Sequence, residues 1–290
     1  IDADGDIDIV GGGAVLRNNG DATFTDTGQN IPVSPRAVGD LNGDGHVDIL
    51  SVTSLNEPAH VLLNDGTGVF SDHPQELGHD FYDAVALGDV DADGDLDAVA
   101  TSSAGHVPAQ LWLNDGSGMF LVSDQSFPID ADYDVALEDM NGDGAPDLLI
   151  SGPGESSDLR LNDGRGHFDS SGQTLPPLPG LETGDADLDG DPDVLVGGYF
   201  FTNDGSGTLT DQGEVLETSG TRLGDFNGDG LPDLYAAMDF GEPNQVWIND
   251  GEGGFYDGGE RLGTSHSRNA VLADFDRDGD LDALAINENV

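Results

Sequence analysis

The sequence has no cysteine and no lysine, and all eight of its basic residues are arginine. Without cysteine there is no thiolate to hold a soft metal, and the redox compartment is left open. No run of 18 or more apolar residues occurs, so the chain offers no membrane-spanning helix and no direct insertion into a bilayer is expected. There is no secretion signal and no initiating methionine, so the chain reads as a mature or trimmed product. Cations are scarce and acids abundant: 58 carboxylates give a formal charge of -50, which argues against nucleic acid and anionic membranes as partners. The sequence holds no His-x-x-x-His pair, no Gly-x-Ser-x-Gly elbow and no phosphate-binding glycine loop, so no catalytic residue is nominated.

What is present is a repeated nine-residue phrase, Asp-x-Asp/Asn-x-Asp-Gly-x-x-Asp. It runs from Asp40 to Asp48, Asp89 to Asp97, Asp139 to Asp147, Asp185 to Asp193, Asp225 to Asp233 and Asp274 to Asp282; a first copy, ending at Asp8, lacks only its opening Asp. Positions 1, 3, 5 and 9 supply side-chain oxygens, Gly at 6 permits a sharp turn, and the carbonyl at 7 completes a wrap for a hard cation. The expected ligands are Asp2, Asp4, Asp6 and Asp8; Asp40, Asn42, Asp44, His46 and Asp48; Asp89, Asp91, Asp93, Asp95 and Asp97. They continue with Asp139, Asn141, Asp143, Ala145 and Asp147; Asp185, Asp187, Asp189, Asp191 and Asp193; Asp225, Asn227, Asp229, Leu231 and Asp233; and Asp274, Asp276, Asp278, Asp280 and Asp282. At position 7 (Asp6, His46, Ala145 and Leu231 among them) the backbone serves, so His46 is no imidazole ligand.

An all-oxygen set with no histidine at positions 1, 3, 5 or 9 selects Ca²⁺, since Mg²⁺ keeps its waters. One ion per loop, up to seven, is expected, and seven would bring the charge to about -36. The loops are not EF-hands: position 12 is Ser51, Ala100, Ile150, Val196, Ala236 or Ala285, and strand-like residues follow. Nor are they abutting nonapeptide repeats, for they recur every 40 to 50 residues.

That period contains four short apolar runs. In the clearest unit they are Ala84 to Leu87, Leu96 to Thr101, Gln110 to Leu113 and Met119 to Val122. Between the last two lies Asn114-Asp115-Gly116, a tight hairpin signal. It returns at Asn64, Asn162, Asn203 and Asn249 and, as Asn18-Asn19-Gly20, in the first unit. An aromatic follows (Phe24, Phe70, Phe120, Phe168, Phe255; Leu209 is the exception), which suits packing between repeats. Four antiparallel strands repeated seven times predict an all-β, seven-bladed β-propeller. Approximate blades are 1–35, 36–82, 83–132, 133–182, 183–220, 221–267 and 268–290, together one domain. The first blade lacks its first strand and the last stops after its second; trimming from a longer chain, or strand addition from a neighbouring subunit, accounts for this.

The loop phrase, the apolar strand after it and the Asn-Asp-Gly-x-Gly-x-Phe hairpin resemble FG-GAP and VCBS-type repeats over essentially the whole chain. Such repeats build the N-terminal propeller of integrin α-subunits and occur in many secreted bacterial proteins. The resemblance implies calcium in the loop between the first two strands of a blade, and a ligand face on the opposite side. Connections there are unequal, which is where binding tends to sit. Candidate contacts are His79, Phe81, Tyr82, His106, Tyr133, Tyr199 and Phe200, with packing between blades as the competing role. Arg222 and Arg268 either meet a ligand or pair with acids.

The expectation is an extracellular or cell-surface calcium-binding module for adhesion, recognition or assembly, with a protein or glycan partner and self-assembly through the incomplete blades. The alternatives are a calcium-dependent lectin and, further off, a secreted polysaccharide lyase.

Overall fold

A computed structural model describes residues 1–31, 35–52, 58–78, 82–102, 107–127, 134–152, 157–178, 180–216, 220–238, 242–251, 253–263 and 267–287. These residues form seven antiparallel sheets in chain order. The first has three strands, β1 (Ile9–Gly11), β2 (Ala14–Asn18) and β3 (Phe24–Asn30). The next three have four each: β4 (Pro35–Gly39), β5 (Asp48–Ser51), β6 (Ala59–Asn64) and β7 (Phe70–Leu77); β8 (Ala84–Gly88), β9 (Asp97–Thr101), β10 (Ala109–Asn114) and β11 (Phe120–Phe127); β12 (Asp134–Glu138), β13 (Asp147–Ser151), β14 (Ser157–Asn162) and β15 (Phe168–Leu175). The fifth and sixth repeat the pattern in β16 (Leu181–Gly184), β17 (Asp193–Val196), β18 (Tyr199–Asn203) and β19 (Leu209–Glu214), and in β20 (Gly220–Gly224), β21 (Asp233–Ala237), β22 (Asn244–Asn249) and β23 (Phe255–Leu262). The last sheet has two strands, β24 (Ser267–Ala273) and β25 (Asp282–Asn287).

Within each four-stranded sheet the strands pair strictly in sequence, and the first strand of one sheet lies beside the first strand of the next: β4 by β8, β8 by β12, and on to β20 by β24. The ends meet as well. Ala22 of the first sheet donates its N–H to Phe275 of the seventh at 3.3 Å, and the Phe24 and Phe275 rings sit edge to face, 5.8 Å apart. This is a β-propeller.

The core lies between sheets. Leu50, Val52 and Val61 of the second sheet pack with Ala98, Ala100, Trp112 and Phe120 of the third, and the same arrangement repeats around the molecule. A second strand is covered on both faces by its neighbours, which is why Asp97–Thr101, Asp147–Ser151 and Asp233–Ala237 are continuously buried and lack polar alternation. The fourth strand is the solvent edge. It runs further than its apolar residues suggest, since β11 continues to Phe127 through the polar Ser123-Asp124-Gln125.

Two expectations change. The Asn-Asp-Gly hairpin is not a tight two-residue turn: Asn114 pairs with Phe120, leaving a five-residue loop in which Asp115 N–H bonds the Met119 carbonyl at 3.0 Å. Tyr82 and Phe200 are buried, Tyr82 edge-on to Trp112 and Phe200 edge-on to Phe255, so both pack between sheets and are lost as surface contacts. Tyr199 is half-buried against the cluster around Met140. Arg222 pairs with Glu182 at 2.9 Å. His79, Phe81, His106, Tyr133 and the Arg268 side chain lie outside the described residues.

Candidate metal centres

Each of the six complete nine-residue phrases forms the connection between the first and second strands of a sheet, and the shorter first copy leads straight into β1; the fold of the loop follows from its own carboxylates. In the third sheet, Asp89 accepts the N–H of Asp93 and of Gly94, both at 3.1 Å, while Asp93 accepts that of Asp95 at 3.0 Å. The chain is thereby wound tightly around position 1. Two residues take left-handed backbone angles, Ala92 at φ 60° and Gly94 at φ 98°. The second is the glycine of the phrase. The first falls on position 4, which is Ala3, Gly43, Ala92, Gly142, Leu188, Gly228 or Arg277, each with φ between 60° and 76°. Side chains other than glycine are strained there by about 1 kcal/mol, and such strain is characteristic of functional turns.

Three carboxylates then converge. Oxygens of Asp89, Asp91 and Asp97 lie within 4.8 Å of one another, as do those of Asp185, Asp187 and Asp193, of Asp274, Asp276 and Asp282, and of Asp2, Asp4 and Asp8. Those four clusters are the loops with Asp at position 3. The other three loops carry Asn42, Asn141 and Asn227 there, an amide oxygen in place of a carboxylate. Asp2 Oδ1, Asp91 Oδ1 and Asp185 Oδ1 are buried without a hydrogen-bond donor among the described residues. Crowded, oxygen-only, donor-poor carboxylates fit a hard divalent cation.

Electrostatics point the same way. Burial first, then the charges of Asp93 and Asp89, pushes the Asp91 carboxyl above its ordinary range. Asp97, Asp147 and Asp193 are pushed up to about 6, mainly by burial, with neighbouring loop carboxylates adding to it. A bound cation would offset both causes.

Position 9 has a second role. Asp97 Oδ2 accepts Val90 N–H from its own loop at 3.1 Å, and Oδ1 accepts the backbone N–H of Asn114, the last residue of β10, at 2.8 Å. The Asn114 amide then donates to the carbonyl of Leu41, position 2 of the preceding sheet's loop, at 2.9 Å. Leu41 N–H in turn bonds Asp48. The same link joins Asn162 to Val90, Asn203 to Met140, Asn249 to Ala186, Asn64 to Ile1 and, across the junction of the chain ends, Asn18 to Phe275. Six asparagines and seven aspartates thus form one hydrogen-bonded band through all seven loops. In the sequence these asparagines read as turn formers; their recurrence before the Asp-Gly or Asn-Gly of all six hairpins is the signal that marks them.

A companion contact holds the outer edges. Gln75, Gln125 and Gln29 each accept the N–H of the next sheet's hairpin aromatic, Phe120, Phe168 or Phe70, at 2.9, 3.2 and 3.3 Å. The loop and hairpin of one sheet also touch: a side chain on Gly116, held at φ 77°, would meet the Asp95 carboxylate at 2.4 Å. Loops and hairpins therefore share one face, as the up-and-down order of the strands requires.

The model for the FG-GAP-like repeat matches residues 40–100, 89–150, 139–196 and 225–285. Among solved structures the chain is similar in fold to an Agrocybe aegerita lectin described by its recognition of non-reducing terminal N-acetylglucosamine. The TM-score is 0.64 at 24% identity, covering 98% of this chain and 83% of that one. It is also similar to a Bacillus licheniformis rhamnogalacturonan lyase (TM-score 0.51, 12% identity, 88% of this chain and 55% of that one). The rhamnogalacturonan lyase YesW gives 0.50 at 13% identity with the same coverage. These likenesses show the fold. No curated protein matches the chain in sequence.

Proposed function

The chain belongs to the FG-GAP-like repeat family, and from that premise we propose a seven-bladed propeller that binds carbohydrate outside the cell with Ca²⁺ in its loops. The observation that carries the carbohydrate reading is the similarity, over nearly the whole chain, to a lectin for terminal N-acetylglucosamine. It favours a glycan over the protein partner of the adhesion reading. The calcium reading is supported by the converging carboxylates and their donor-free oxygens, with the expected ligand sets filling one site per loop. Extracellular millimolar calcium matches the affinity range of such loops, roughly 10⁻⁴ to 10⁻³ M. That concentration supports an extracellular location.

In this reading calcium shapes the scaffold and the sugar binds elsewhere. The metal-loop face is nearly uniform, and the connections of the opposite face differ in length and composition. Unequal connections suit one or a few sugar sites over seven identical ones. The lyase alternative has less support: those relatives share the fold at 12–13% identity and extend well beyond this chain's length. No Lys is available as a base.

The test is a glycan array in millimolar calcium, repeated with EDTA, with terminal N-acetylglucosamine prominent among the probes. Calcium-dependent binding of a defined sugar is expected. A blank array in calcium would remove the lectin reading and return the adhesion and assembly reading to first place.

A further inference from the structure

The chain contains four Asn-Gly pairs: Asn19-Gly20 in the first hairpin, and Asn42-Gly43, Asn141-Gly142 and Asn227-Gly228 at positions 3 and 4 of three acidic loops. In the loops the pairing is systematic. Wherever position 3 is an amide, position 4 is glycine; wherever position 3 is a carboxylate, position 4 is Ala3, Ala92, Leu188 or Arg277. The backbone does not demand glycine there, since those four residues take the same left-handed turn at φ 60–62°. A glycine after asparagine has a chemical consequence. Without a Cβ in the way, its backbone nitrogen closes readily on the asparagine side-chain carbon to form a five-membered ring. The four pairs differ in what holds that nitrogen. Gly20 N–H donates to Asn18 Oδ1 at 3.0 Å, and Gly228 N–H to Asp225 Oδ1 at 2.8 Å. The N–H groups of Gly43 and Gly142 have no acceptor among the described residues, and both glycines are exposed to water. The amide to be attacked is polarised as well. Asn42 Oδ1 accepts Asp44 N–H at 2.9 Å and Asn141 Oδ1 accepts Asp143 N–H at 3.0 Å, so a donor already faces the oxygen on which negative charge develops. Asn227 has the same donor, from Asp229 at 2.8 Å, but lacks the free nucleophile.

We propose that Asn42 and Asn141 are sites of spontaneous deamidation in the folded chain, and that Asn19 and Asn227 are protected from it. The glycine nitrogen loses its proton to solvent base and attacks the asparagine Cγ. The Cγ–Nδ2 bond breaks, and ammonia leaves with a proton taken from water. Water then opens the succinimide at one carbonyl or the other, giving aspartate or isoaspartate; in sum, amide and water become carboxylate and ammonia. The aspartate product carries a carboxylate at position 3, as Asp91, Asp187 and Asp276 already do. The isoaspartate product puts an extra methylene into the backbone of the wrap and displaces bonds such as Asp44 N–H to Asp40 Oδ1. The loops of the second and fourth sheets therefore change chemical type as the protein ages. Exposure alone would rank the pairs the other way, because Asn19 and Asn227 are exposed and Asn42 and Asn141 half-buried. The inference is independent of the carbohydrate reading.

The experiment ages the full folded chain in mildly alkaline buffer, once in millimolar calcium and once in EDTA, and follows each asparagine by peptide mass spectrometry. In at least one of the two solutions, Asn42 and Asn141 are expected to convert about tenfold or more faster than Asn19 and Asn227, about 1.4 kcal/mol in barrier height. In concentrated urea, where the protecting hydrogen bonds are gone, the four rates are expected to converge. Gly43→Ala is expected to suppress conversion at Asn42 and still to fold, since Ala92 fills the same position of the third loop and the new Cβ would meet only Gly116 O, at 4.0 Å. Four equal rates in both solutions, conversion led by Asn19 and Asn227, or no conversion at all overturns the proposal. So does the same ranking in urea, or a Gly43→Ala chain that converts at Asn42 as fast as the parent.

Discussion

Asn114 and Leu41 are 73 positions apart in sequence, yet the side-chain amide of one donates to the backbone carbonyl of the other at 2.9 Å in a fully buried setting. Through this bond the hairpin of the third sheet holds the acidic loop of the second, while its second amide hydrogen reaches Leu96 O in its own loop at 3.1 Å. Local turn geometry and ring assembly are therefore the work of one side chain.

Asn114→Ala leaves two carbonyls without donors, each costing about 1–3 kcal/mol when buried. A loss of about 2–4 kcal/mol is expected in a denaturant melt run in calcium, softened by water entering the space. Asn249→Ala, which breaks the equivalent bond to Ala186, should cost a similar amount. A change below about 0.5 kcal/mol for both, the level of ordinary surface substitutions, would mean that the band does not hold the ring.

Calcium removal acts on all loops together. Ions that bind only the folded state stabilise it by mass action, about 2.7 kcal/mol per independent site at a hundredfold excess over the dissociation constant. EDTA is therefore expected to lower the melting temperature by at least about ten degrees in a domain of this size. An unchanged melt would sink the metal assignment.

The effect should depend on pH with a definite sign. In the metal-free protein, Asp97, Asp147 and Asp193 have folded pKa values raised to about 6, chiefly by burial, against about 3.9 unfolded. Between those values the folded state holds more protons, so metal-free stability falls as pH rises from about 4 to 6. Asp257, held down to about 2 by Arg261, titrates below this window. Calcium needs the carboxylates deprotonated, so its affinity climbs through the same range. The gap between melting temperatures in calcium and in EDTA should widen from about pH 5 to 7; a constant gap would separate these three groups from the metal sites.

The loops were legible because their information is local: ligands and glycine fall within nine residues, and the Asp that opens the loop bonds amides only a few residues on, as Asp89 does with Asp93 and Gly94. The second strands were legible because burial on both faces demands unbroken apolar runs, as in Leu148 to Ile150. The band was not. Its acceptor is a backbone carbonyl, identical in every residue type, and which one Asn114 meets is decided by the curvature of the ring. Ala92 illustrates the same limit, for nothing in an alanine announces a left-handed turn; only Gly43, Gly142 and Gly228 at the matching position hint at it. Tyr82 and Phe200 failed as surface candidates because an aromatic beside a loop looks alike in sequence whether it faces solvent or the next sheet.

Positions 3 and 9 of a loop should respond differently to the same change. Asn already occupies position 3 in Asn42, Asn141 and Asn227, where an amide oxygen accepts the same loop N–H, at 2.8–3.0 Å. Asp91→Asn is therefore expected to keep its ion, with somewhat weaker affinity from one charge fewer. Asp97 is another matter, since both its oxygens accept backbone amides. Asp97→Asn turns one acceptor into a donor facing a donor, leaves a buried N–H unpaired at about 1–3 kcal/mol, and removes a carboxylate from the cluster. In calcium the Asp97 variant is expected to bind one ion fewer than the parent by equilibrium dialysis. Its melting temperature should fall by about 2–4 °C for each kcal/mol lost, while Asp91→Asn stays near the parent in both measurements. If the two variants behaved alike, position 9 would be one ligand among several, and the link between metal loop and inter-sheet band would have to be given up.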